Sequence, residues 1–334
     1  MKKQPIAILG AGNMATALAI HLAKQGQNIC LYCIEPDVEK QINEKHRNDK
    51  YLAGIRLPSS IRATAKIGAC VKGARLIIVS VPSGAVSQVI KLAKPYMRQD
   101  AIVALTSKGL DSQTLEPVVL TAQKLLPAGL RKRICMLGGP AVATEMVKGT
   151  PMALMVAGHD ATARQAVAKL MTGHNLKAAQ SNDLLGVGLA AALKNAYAIA
   201  LGFCDGLHYT TNAKAFVISM AVSEMAGLML KAGAHPKTAP SLAGLGDLLV
   251  TGLSPYGRNR QYGERLVRAR TNDPKQLGLT TVEGIAAANL GVKLAKKLGA
   301  KTPLLAAIQK GIRAKAKYHQ PFVDYIKNVK LELI

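Results

Sequence analysis

One lysine lies in the middle of a long apolar stretch, and a lysine in such surroundings is a candidate proton donor. Residues 184–204 contain Lys194, followed by Asn195, and no other charged side chain. Burial lowers the pKa of a lysine, so a buried amine can act as a general acid or base near neutral pH. The alternative is that the flexible side chain carries its amine to the surface, and helical periodicity alone does not separate the two. Asn195 lies on a different side of the helix, where a structural hydrogen bond is its ordinary role.

Two segments farther along the chain carry polar side chains in patterns that suit an active site. Asp247 follows a glycine-rich stretch and precedes an apolar run that ends at Thr251. This suits a catalytic carboxylate but, taken alone, favours a helix N-cap. Arg258 and Asn259 follow Gly257 and, with the next arginine, predict a compact cluster of donors on a turn. A guanidinium group matches the geometry of a phosphate, and a basic surface turn is the alternative.

The start of the chain predicts a dinucleotide-binding turn. An apolar strand at residues 5–9 runs directly into Gly10-Ala-Gly12-Asn-Met-Ala15, and a helical pattern follows. Gly10 permits the tight turn, Gly12 lets the backbone approach a pyrophosphate, and the small Ala15 lets the helix pack on the strand. Glu35 stands about twenty residues farther on, at the end of the next strand, where a carboxylate accepts hydrogen bonds from the adenosine ribose. Glu35 repels a 2′-phosphate and so favours NAD, while Ala15 and the positive charge of the chain point toward NADP.

A further lysine is predicted at the carboxyl end of another strand. Ser107-Lys108-Gly109 follows the apolar strand at residues 101–105. In open parallel sheets this end of the strands binds ligands, so Lys108 is a candidate for contact with a substrate or cofactor. An exposed loop lysine is the alternative.

The order of the predicted elements indicates an α/β fold with two domains. Short β-rich runs alternate with helical patterns in the first half of the chain, with strands at 6–9, 29–34, 76–81, 101–105 and 134–137. Such alternation predicts a Rossmann-type parallel sheet covered on both faces. After residue 183 helical patterns dominate, at 184–203, 213–232, 286–298 and 304–317. We therefore predict a dinucleotide-binding domain at 1–183 and an all-helical domain at 184–334, for which the family resemblance given below implies substrate binding.

The charge balance of the chain is strongly positive. Lys and Arg number 44 against 19 Asp and Glu, a formal charge of +25. Such a charge attracts anions of any kind, from a phosphate ester to a nucleic acid. No basic motif with interleaved aromatic residues accompanies it, so specific nucleic-acid binding is not expected. A nucleic-acid-binding protein that retains a dinucleotide-binding fold is the less favoured alternative.

The cysteines and the apolar stretches do not predict export, a metal site or membrane insertion. The five cysteines are odd in number and dispersed, and Cys30 and Cys33 point to opposite faces of one strand. Reduced thiols, no metal and a cytoplasmic location are therefore expected. The stretch 184–204 is long enough to span a bilayer, but Lys194 and Asn195 lie at its centre, where a charge costs about 2.5–3.5 kcal/mol. A buried helix of a soluble protein is the better interpretation.

Short motifs along almost the whole chain resemble those of the bacterial NAD(P)-dependent glycerol-3-phosphate dehydrogenases. Besides the glycine turn, these motifs are Leu57-Pro58, Val81-Pro82-Ser83, Lys108-Gly109, Gly139-Pro140, Leu193-Lys194-Asn195, Asp205-Gly206, Asn212-Ala213-Lys214-Ala215, Gly244-Leu-Gly-Asp247, Arg258-Asn259-Arg260 and Val282-Glu283-Gly284. Each motif is short, whereas their joint order and spacing are specific. The resemblance implies an enzyme that reduces dihydroxyacetone phosphate to sn-glycerol 3-phosphate with NAD(P)H and so feeds glycerophospholipid synthesis.

The resemblance also implies roles for individual residues. Lys194 would donate the proton to the substrate carbonyl, with Lys108 and Asp247 beside it as catalytic residues. The implied substrate-binding set, with Arg258 and Asn259 at the phosphate, is Lys108, Gly139, Ala141, Lys194, Asp247, Thr251, Gly257, Arg258 and Asn259. The implied cofactor-binding set is Gly10, Gly12, Asn13, Met14, Glu35, Lys108, Ala143, Arg258 and Glu283. The cofactor is NAD or NADP, with NAD favoured by Glu35, and a homodimer is compatible with the sequence.

Three positions differ from the pattern of that family. Met14-Ala15 stands where an aromatic residue and a glycine are usual, which affects packing on the nicotinamide side. Ala141 stands where a serine or threonine is usual, so a hydroxyl that could contact the substrate is missing. The stretch around Tyr256 lacks the serine that is common there. These differences allow a shifted substrate or slower turnover, and the 3-hydroxyacid and pyrroline-carboxylate reductases are alternatives of the same architecture.

Overall fold

The computed structural model describes residues 5–173 and 175–330, which form two compact units. The first unit comprises the chain up to Asp111 together with Glu116–Leu184. The second comprises Ser112–Leu115 and the chain from Leu185 onward. The change from one unit to the other at Leu184 and Leu185 falls at the start of a long apolar helix.

An eight-stranded sheet forms the centre of the first unit. Its strands are β1 (Ile6–Leu9), β2 (Ile29–Tyr32), β3 (Ile61–Thr64), β4 (Leu76–Val79), β5 (Ile102–Leu105), β6 (Ile134–Gly138), β7 (Met152–Ala157) and β8 (Leu176–Ser181). Their order is β3-β2-β1-β4-β5-β6-β7-β8, and all neighbours run parallel except β6 and β7. The sequence order of the strands reverses between β1 and β4, the point at which doubly wound sheets bind ligands. The predicted α/β sheet is confirmed.

Helices follow most strands of the first unit and cover the sheet. They are α1 (Asn13–Lys24), α2 (Pro36–Lys45), α3 (Asp49–Leu52), α4 (Ile67–Val71), α5 (Val86–Ala93), α6 (Val118–Leu125), α7 (Ala128–Arg131), α8 (Ala143–Lys148) and α9 (Ala161–Met171). Every residue of β1, β4 and β5 is buried, which explains their uninterrupted apolar sequences, because both faces of a covered parallel sheet exclude water.

Three strands of the sheet were not predicted from the sequence. They are β3, β7 and β8. The first is short and contains an exposed arginine, and the other two are rich in Ala, Leu, Met, Lys and Gln, which are typical of helices. Pairing with a neighbouring strand overrides such weak local preferences. The predicted strands 29–34 and 76–81 also end two residues earlier in the structure, at Tyr32 and Val79.

The described part of the second unit, up to residue 330, contains helices and no strand, which confirms the predicted all-helical region. Its helices are α10 (Leu184–Gly206), α11 (Thr211–Ala232), α12 (Asp247–Leu253), α13 (Arg258–Leu266), α14 (Glu283–Leu298), α15 (Pro303–Arg313) and α16 (Gln320–Asn328). The predicted donor cluster on a turn at Arg258 is wrong in one respect: Arg258 is the first residue of α13. Its short helix carries few apolar residues, so periodicity gave no signal.

Helix α10 is the core of the second unit, and a glycine contact fixes one of its neighbours. All residues from 186 to 204 are buried. A Cβ added to Gly263 of α13 would lie 2.0 Å from the backbone oxygen of Ile199 and 3.1 Å from Cα of Gly202. The backbones of α10 and α13 therefore touch, which no larger side chain permits. This contact sets the start of α13 close to the part of α10 that contains Lys194.

Two helices of the second unit are long and apolar enough to cross a membrane by length and composition. They are α10, in which 94% of an apolar 18-residue stretch is buried, and α11, in which 33% of the corresponding stretch is buried. Burial explains the composition of α10, in agreement with the interpretation of residues 184–204 as a core helix. Helix α11 is held by polar contacts, since Lys214 forms an ion pair with Asp205 and Glu224 accepts hydrogen bonds from the first turn of α15.

Candidate active site

The Lys194 amine is buried in the second unit and hydrogen-bonded to two side chains. Its Nζ donates to Oδ1 of Asp247 at 2.8 Å and to Oγ1 of Thr251 at 2.6 Å. Lys194 is 6% exposed and Asp247 is 2% exposed. The helix around the lysine is buried on all sides, so the alternative in which the amine reaches the surface is excluded. A buried ammonium group needs an opposite charge, and Asp247 supplies it.

The local backbone explains how Asp247 reaches this lysine. A single π-helical turn, Leu242–Gly246, precedes α12, and Asp247 is the first residue of α12 after Gly246. A Cβ on Gly244 would lie 2.0 Å from the backbone oxygen of Ala239, so the chain can fold back tightly only with glycine there. Thr251 lies four residues after Asp247, which places both side chains on one face of the helix. The interpretation of Asp247 as an N-cap is therefore wrong.

A chain of amide and carboxylate contacts runs beside the lysine. Asn195 Nδ2 donates to Oε2 of Glu283 at 3.2 Å, and its Oδ1 accepts from Nδ2 of Asn259 at 3.0 Å. Oδ1 of Asn259 in turn accepts from the backbone N–H of Gly284 at 2.9 Å. The contacts join the starts of α13 and α14 to α10. Asn259 was expected at the substrate phosphate and Glu283 at the cofactor. The structure links the two side chains through Asn195.

The three residues predicted as one donor cluster have different surroundings. Asn259 is buried in the network just described, whereas Arg258 is exposed at the first position of α13. Arg260 donates to Oδ2 of Asp205 at 2.5 Å, so its charge is matched within the protein. Gly257 caps the helix, and a Cβ there would lie 2.4 Å from the backbone oxygen of Thr251. Of these three residues, Arg258 is therefore the one whose side chain is exposed at this helix start, while Asn259 is held by Asn195 and Gly284.

The glycine turn of the first unit has the shape that a dinucleotide requires. Gly10 has φ of +122°, and a Cβ there would lie 2.4 Å from the backbone oxygen of Ser80. A Cβ on Gly12 would meet no atom within 4 Å, so the space in front of this residue is open. Gly12 precedes α1 and offers no side-chain cap to its N–H groups. An open space at an uncapped helix N-terminus fits a pyrophosphate, so the residues present fit a dinucleotide cofactor.

Glu35 lies three residues after the end of β2, immediately before α2, and its carboxylate has two partners. Oε1 contacts Nζ of Lys50, and Oε2 accepts a hydrogen bond from the Tyr51 hydroxyl at 2.7 Å. These two contacts, Lys50 first, hold the pKa of Glu35 below its usual value. The same carboxylate raises the pKa of Tyr51. The sequence analysis did not identify Lys50 or Tyr51, because no local pattern marks side chains that meet across about fifteen residues.

Lys108 lies at the carboxyl end of β5 beside a small cavity of the first unit. The cavity has a volume of about 30 Å³ and is lined by residues that include Met14, Lys108, Gly139 and Ala141. The Ser107 hydroxyl donates to the backbone oxygen of Val81 at 2.5 Å and so fixes the strand end next to Lys108. Met14, Lys108, Gly139 and Ala141 thus lie together, whereas Ala143 begins α8 and does not line this cavity.

Metal and thiol chemistry receive no support from the residues that the structure describes. Within residues 5–173 and 175–330, no group of three His, Cys, Asp or Glu side chains is placed to hold a metal ion. All five cysteines are free thiols and buried. Cys70 donates a hydrogen bond from its Sγ to the backbone oxygen of Cys30 at 3.1 Å.

Models of one enzyme family match the two units in turn. The N-terminal model of NAD-dependent glycerol-3-phosphate dehydrogenase matches residues 5–164, and the C-terminal model matches residues 183–322. The glycerol-3-phosphate dehydrogenase (NAD(P)+) of Bacillus licheniformis is 35% identical over 308 residues, which cover 91% of this chain and 89% of the relative.

Solved structures agree with this assignment. The crystal structure of glycerol-3-phosphate dehydrogenase from Coxiella burnetii has a TM-score of 0.89 and 29% identity, and the match covers 98% of this chain and 99% of that one. A ketopantoate reductase from Ralstonia eutropha has a TM-score of 0.60 at 15% identity, over 95% of this chain and 99% of that one, so it shares the fold alone. The fold alone does not distinguish between families of reductases. The family models and the relatives do distinguish them, and they show that the chain belongs to the NAD-dependent glycerol-3-phosphate dehydrogenase family.

Proposed function

We propose that this protein reduces dihydroxyacetone phosphate to sn-glycerol 3-phosphate with NAD(P)H and so feeds glycerophospholipid synthesis. The observation that carries the proposal is the Lys194 amine, buried beside Asp247 and Thr251 in a helix that holds no other charge between residues 184 and 204. A buried cation with a hydroxyl and a carboxylate as partners suits proton donation better than a structural role, because burying the pair costs free energy. Membership of the family supplies the substrate class.

Lys194, Asp247 and Thr251 of the second unit have different roles in the proposed reaction. When bound, the reduced nicotinamide supplies a hydride to the carbonyl carbon of the substrate. The Lys194 ammonium group donates a proton to the carbonyl oxygen, so that one C–H and one O–H bond form as the C=O π bond is lost. Asp247 provides the counter-charge that keeps the amine in place, and Thr251 fixes its direction. Lys108 of the first unit is the other proposed catalytic residue.

The substrate phosphate is assigned to the start of α13. Arg258 supplies a guanidinium fork and Asn259 an amide, and both stand in the first turn of a helix, where N–H groups favour anions. Gly257 lets the backbone come close there. The remaining proposed substrate-binding residues, from the first unit, are Lys108, Gly139 and Ala141.

The cofactor is assigned chiefly to residues 1–183. The proposed contacts are Gly10, Gly12, Asn13, Met14, Glu35, Lys108 and Ala143, with Arg258 and Glu283 contributing from residues 184–334. Glu35 favours NAD because a carboxylate accepts hydrogen bonds from the ribose hydroxyls and repels a 2′-phosphate. A cytoplasmic location and a homodimer remain predictions from the sequence.

Steady-state assays of the purified protein test the proposal. With NADH present, we expect dihydroxyacetone phosphate to be reduced, and Lys194→Ala to lower kcat by a factor on the order of 10²–10⁴. Lys297→Ala, which removes an exposed lysine of the same unit, is the matched control and should leave the rate unchanged. Retention of more than about a tenth of kcat by a folded, NADH-binding Lys194→Ala protein would assign proton donation to Lys108 or water instead.

A further inference from the structure

We propose that Lys50 determines how this protein discriminates NADH from NADPH: it neutralises Glu35 and offers a cation to the 2′-phosphate of NADPH. The inference rests on the proposed function only in that both place a dinucleotide at the glycine turn. Glu35 alone would exclude the 2′-phosphate by like-charge repulsion. With Lys50 beside it the pair has no net charge, so NADPH is accepted as well as NADH.

Lys50 contacts Glu35, the residue proposed to bind the adenosine ribose. Glu35 lies three residues after the end of β2, and both of its carboxylate oxygens have partners, Lys50 on one side and the Tyr51 hydroxyl at 2.7 Å on the other. The side chains of Glu35 and Lys50 are 28% and 50% exposed, so a ligand can reach both. The Lys50 contact is made at the surface, where a ligand can replace it, whereas the Tyr51 contact is partly buried.

The backbone that carries Lys50 is fastened to the glycine turn. Buried Asn48 donates from Nδ2 to the backbone oxygen of Ala11 and to Oγ1 of Thr16, each at 2.8 Å. Asn13, in the first position of α1, donates to the backbone oxygen of Tyr51 at 2.7 Å. Lys50 thus projects from a segment held on both sides by bonds to the dinucleotide turn. The backbone position of Lys50 beside this turn is therefore fixed, and its side chain is half exposed.

A second feature marks the same place as a ligand surface. Ile34 precedes Glu35 and is 75% exposed, although it follows a buried strand. An exposed isoleucine next to a carboxylate and a cation offers an apolar surface on which a purine base can pack, with polar groups for its sugar beside it. The base and the ribose of an adenine dinucleotide require these two surfaces side by side.

The two cofactors then use the pair differently. With NADH, Glu35 exchanges Lys50 or Tyr51 for the ribose hydroxyls. With NADPH, the 2′-phosphate takes the place of the Glu35 carboxylate as the partner of the Lys50 ammonium group. The low pKa of Glu35 agrees with this arrangement, since the carboxylate stays ionised and available in both cases.

Binding of the cofactor fragments tests the inference without turnover. Calorimetry with ADP-ribose and with 2′-phospho-ADP-ribose measures the contribution of the 2′-phosphate directly. We expect Lys50→Met to weaken 2′-phospho-ADP-ribose by about five- to tenfold, the value of a half-exposed charge-assisted contact, and ADP-ribose by less than about twofold. Lys45→Met, which removes an exposed lysine of α2, is the matched control and should change neither.

A second variant, Glu35→Gln, tests the role of the carboxylate that pairs with Lys50. Glu35→Gln frees Lys50, so 2′-phospho-ADP-ribose should bind more tightly, and ADP-ribose more weakly, than in the wild type. The ratio of kcat/KM for NADPH to that for NADH should therefore fall in Lys50→Met and rise in Glu35→Gln. The inference is overturned if Lys50→Met weakens both fragments equally, leaves the phosphorylated one unchanged, or if the wild type binds neither. Fragment binding as expected with no reduction of dihydroxyacetone phosphate would instead overturn the proposed function alone.

Discussion

Replacing Asp247 by asparagine removes the counter-charge of a buried lysine and should cost both stability and activity. The carboxylate lies 2.8 Å from Lys194 Nζ, and the two side chains are 2% and 7% exposed. In Asp247→Asn the ammonium group keeps its hydrogen bond to Thr251 but has no opposite charge. Breaking a buried pair in this way typically costs about 3–5 kcal/mol of the free energy of unfolding. Lys194→Met removes the cation beside the Asp247 carboxylate and should cost a similar amount.

The double variant Lys194→Met/Asp247→Asn shows whether the two charges depend on each other. If they acted independently, the single costs would add to about 6–10 kcal/mol. Removing both charges removes the unpaired charge as well, so the double variant should be more stable than this sum by at least about 2 kcal/mol. All three variants should lose at least about a hundredfold in kcat, because none retains both the amine and its counter-charge.

Urea unfolding followed by far-UV circular dichroism measures these stabilities, since the chain has no tryptophan to serve as a fluorescence probe. Lys297→Met, an exposed lysine of α14, is the control and should change the free energy of unfolding by less than about 0.5 kcal/mol. Additivity of the single variants within about 0.5 kcal/mol would refute the reasoning, because it would mean that Lys194 and Asp247 are not an interacting buried pair.

Three other outcomes follow from the structure. Arg258→Ala should lower kcat/KM about ten- to a hundredfold for dihydroxyacetone phosphate and little for dihydroxyacetone, which has no phosphate; equal losses on both would withdraw the phosphate assignment. Burial raises the pKa of Glu224 to about 7, so its contribution to stability is complete below about pH 4.5 and is lost as the pH rises through 7. Between pH 5 and 8 the wild type should therefore lose up to about 3 kcal/mol relative to Glu224→Gln in urea unfolding, and parallel pH profiles would contradict this. Gly263→Ala should destabilise the protein by about 1–3 kcal/mol or more, because the new Cβ would lie 2.0 Å from the backbone oxygen of Ile199. Gly227→Ala is the control: its Cβ would meet no atom within 4 Å, so this variant should be neutral or stabilised by up to about 1 kcal/mol. Thermal melts measure both variants.

The sequence alone predicted those features that depend on residues close together in the chain. The strand, glycine turn and helix at the start of the chain were readable because the conformation of Gly10 and the open space at Gly12 are properties of a few consecutive residues. The apolar run around Lys194 predicted a core helix for the same reason, and α10 is buried as that run requires. The family motifs indicated candidates such as Asn259 and Glu283, although not their link through Asn195.

The partners of those residues were decided by the tertiary structure. Whether Lys194 is buried beside a carboxylate depends on Asp247 and Thr251, which lie 53 and 57 residues farther along the chain. The pairing of Lys50 with Glu35 likewise crosses 15 residues and the whole of helix α2. Strands β7 and β8 formed against their helix-like composition because each could pair with a neighbour. Periodicity and propensity describe single elements, whereas ion pairs, sheet order and backbone contact between helices arise only when elements distant in the sequence pack together.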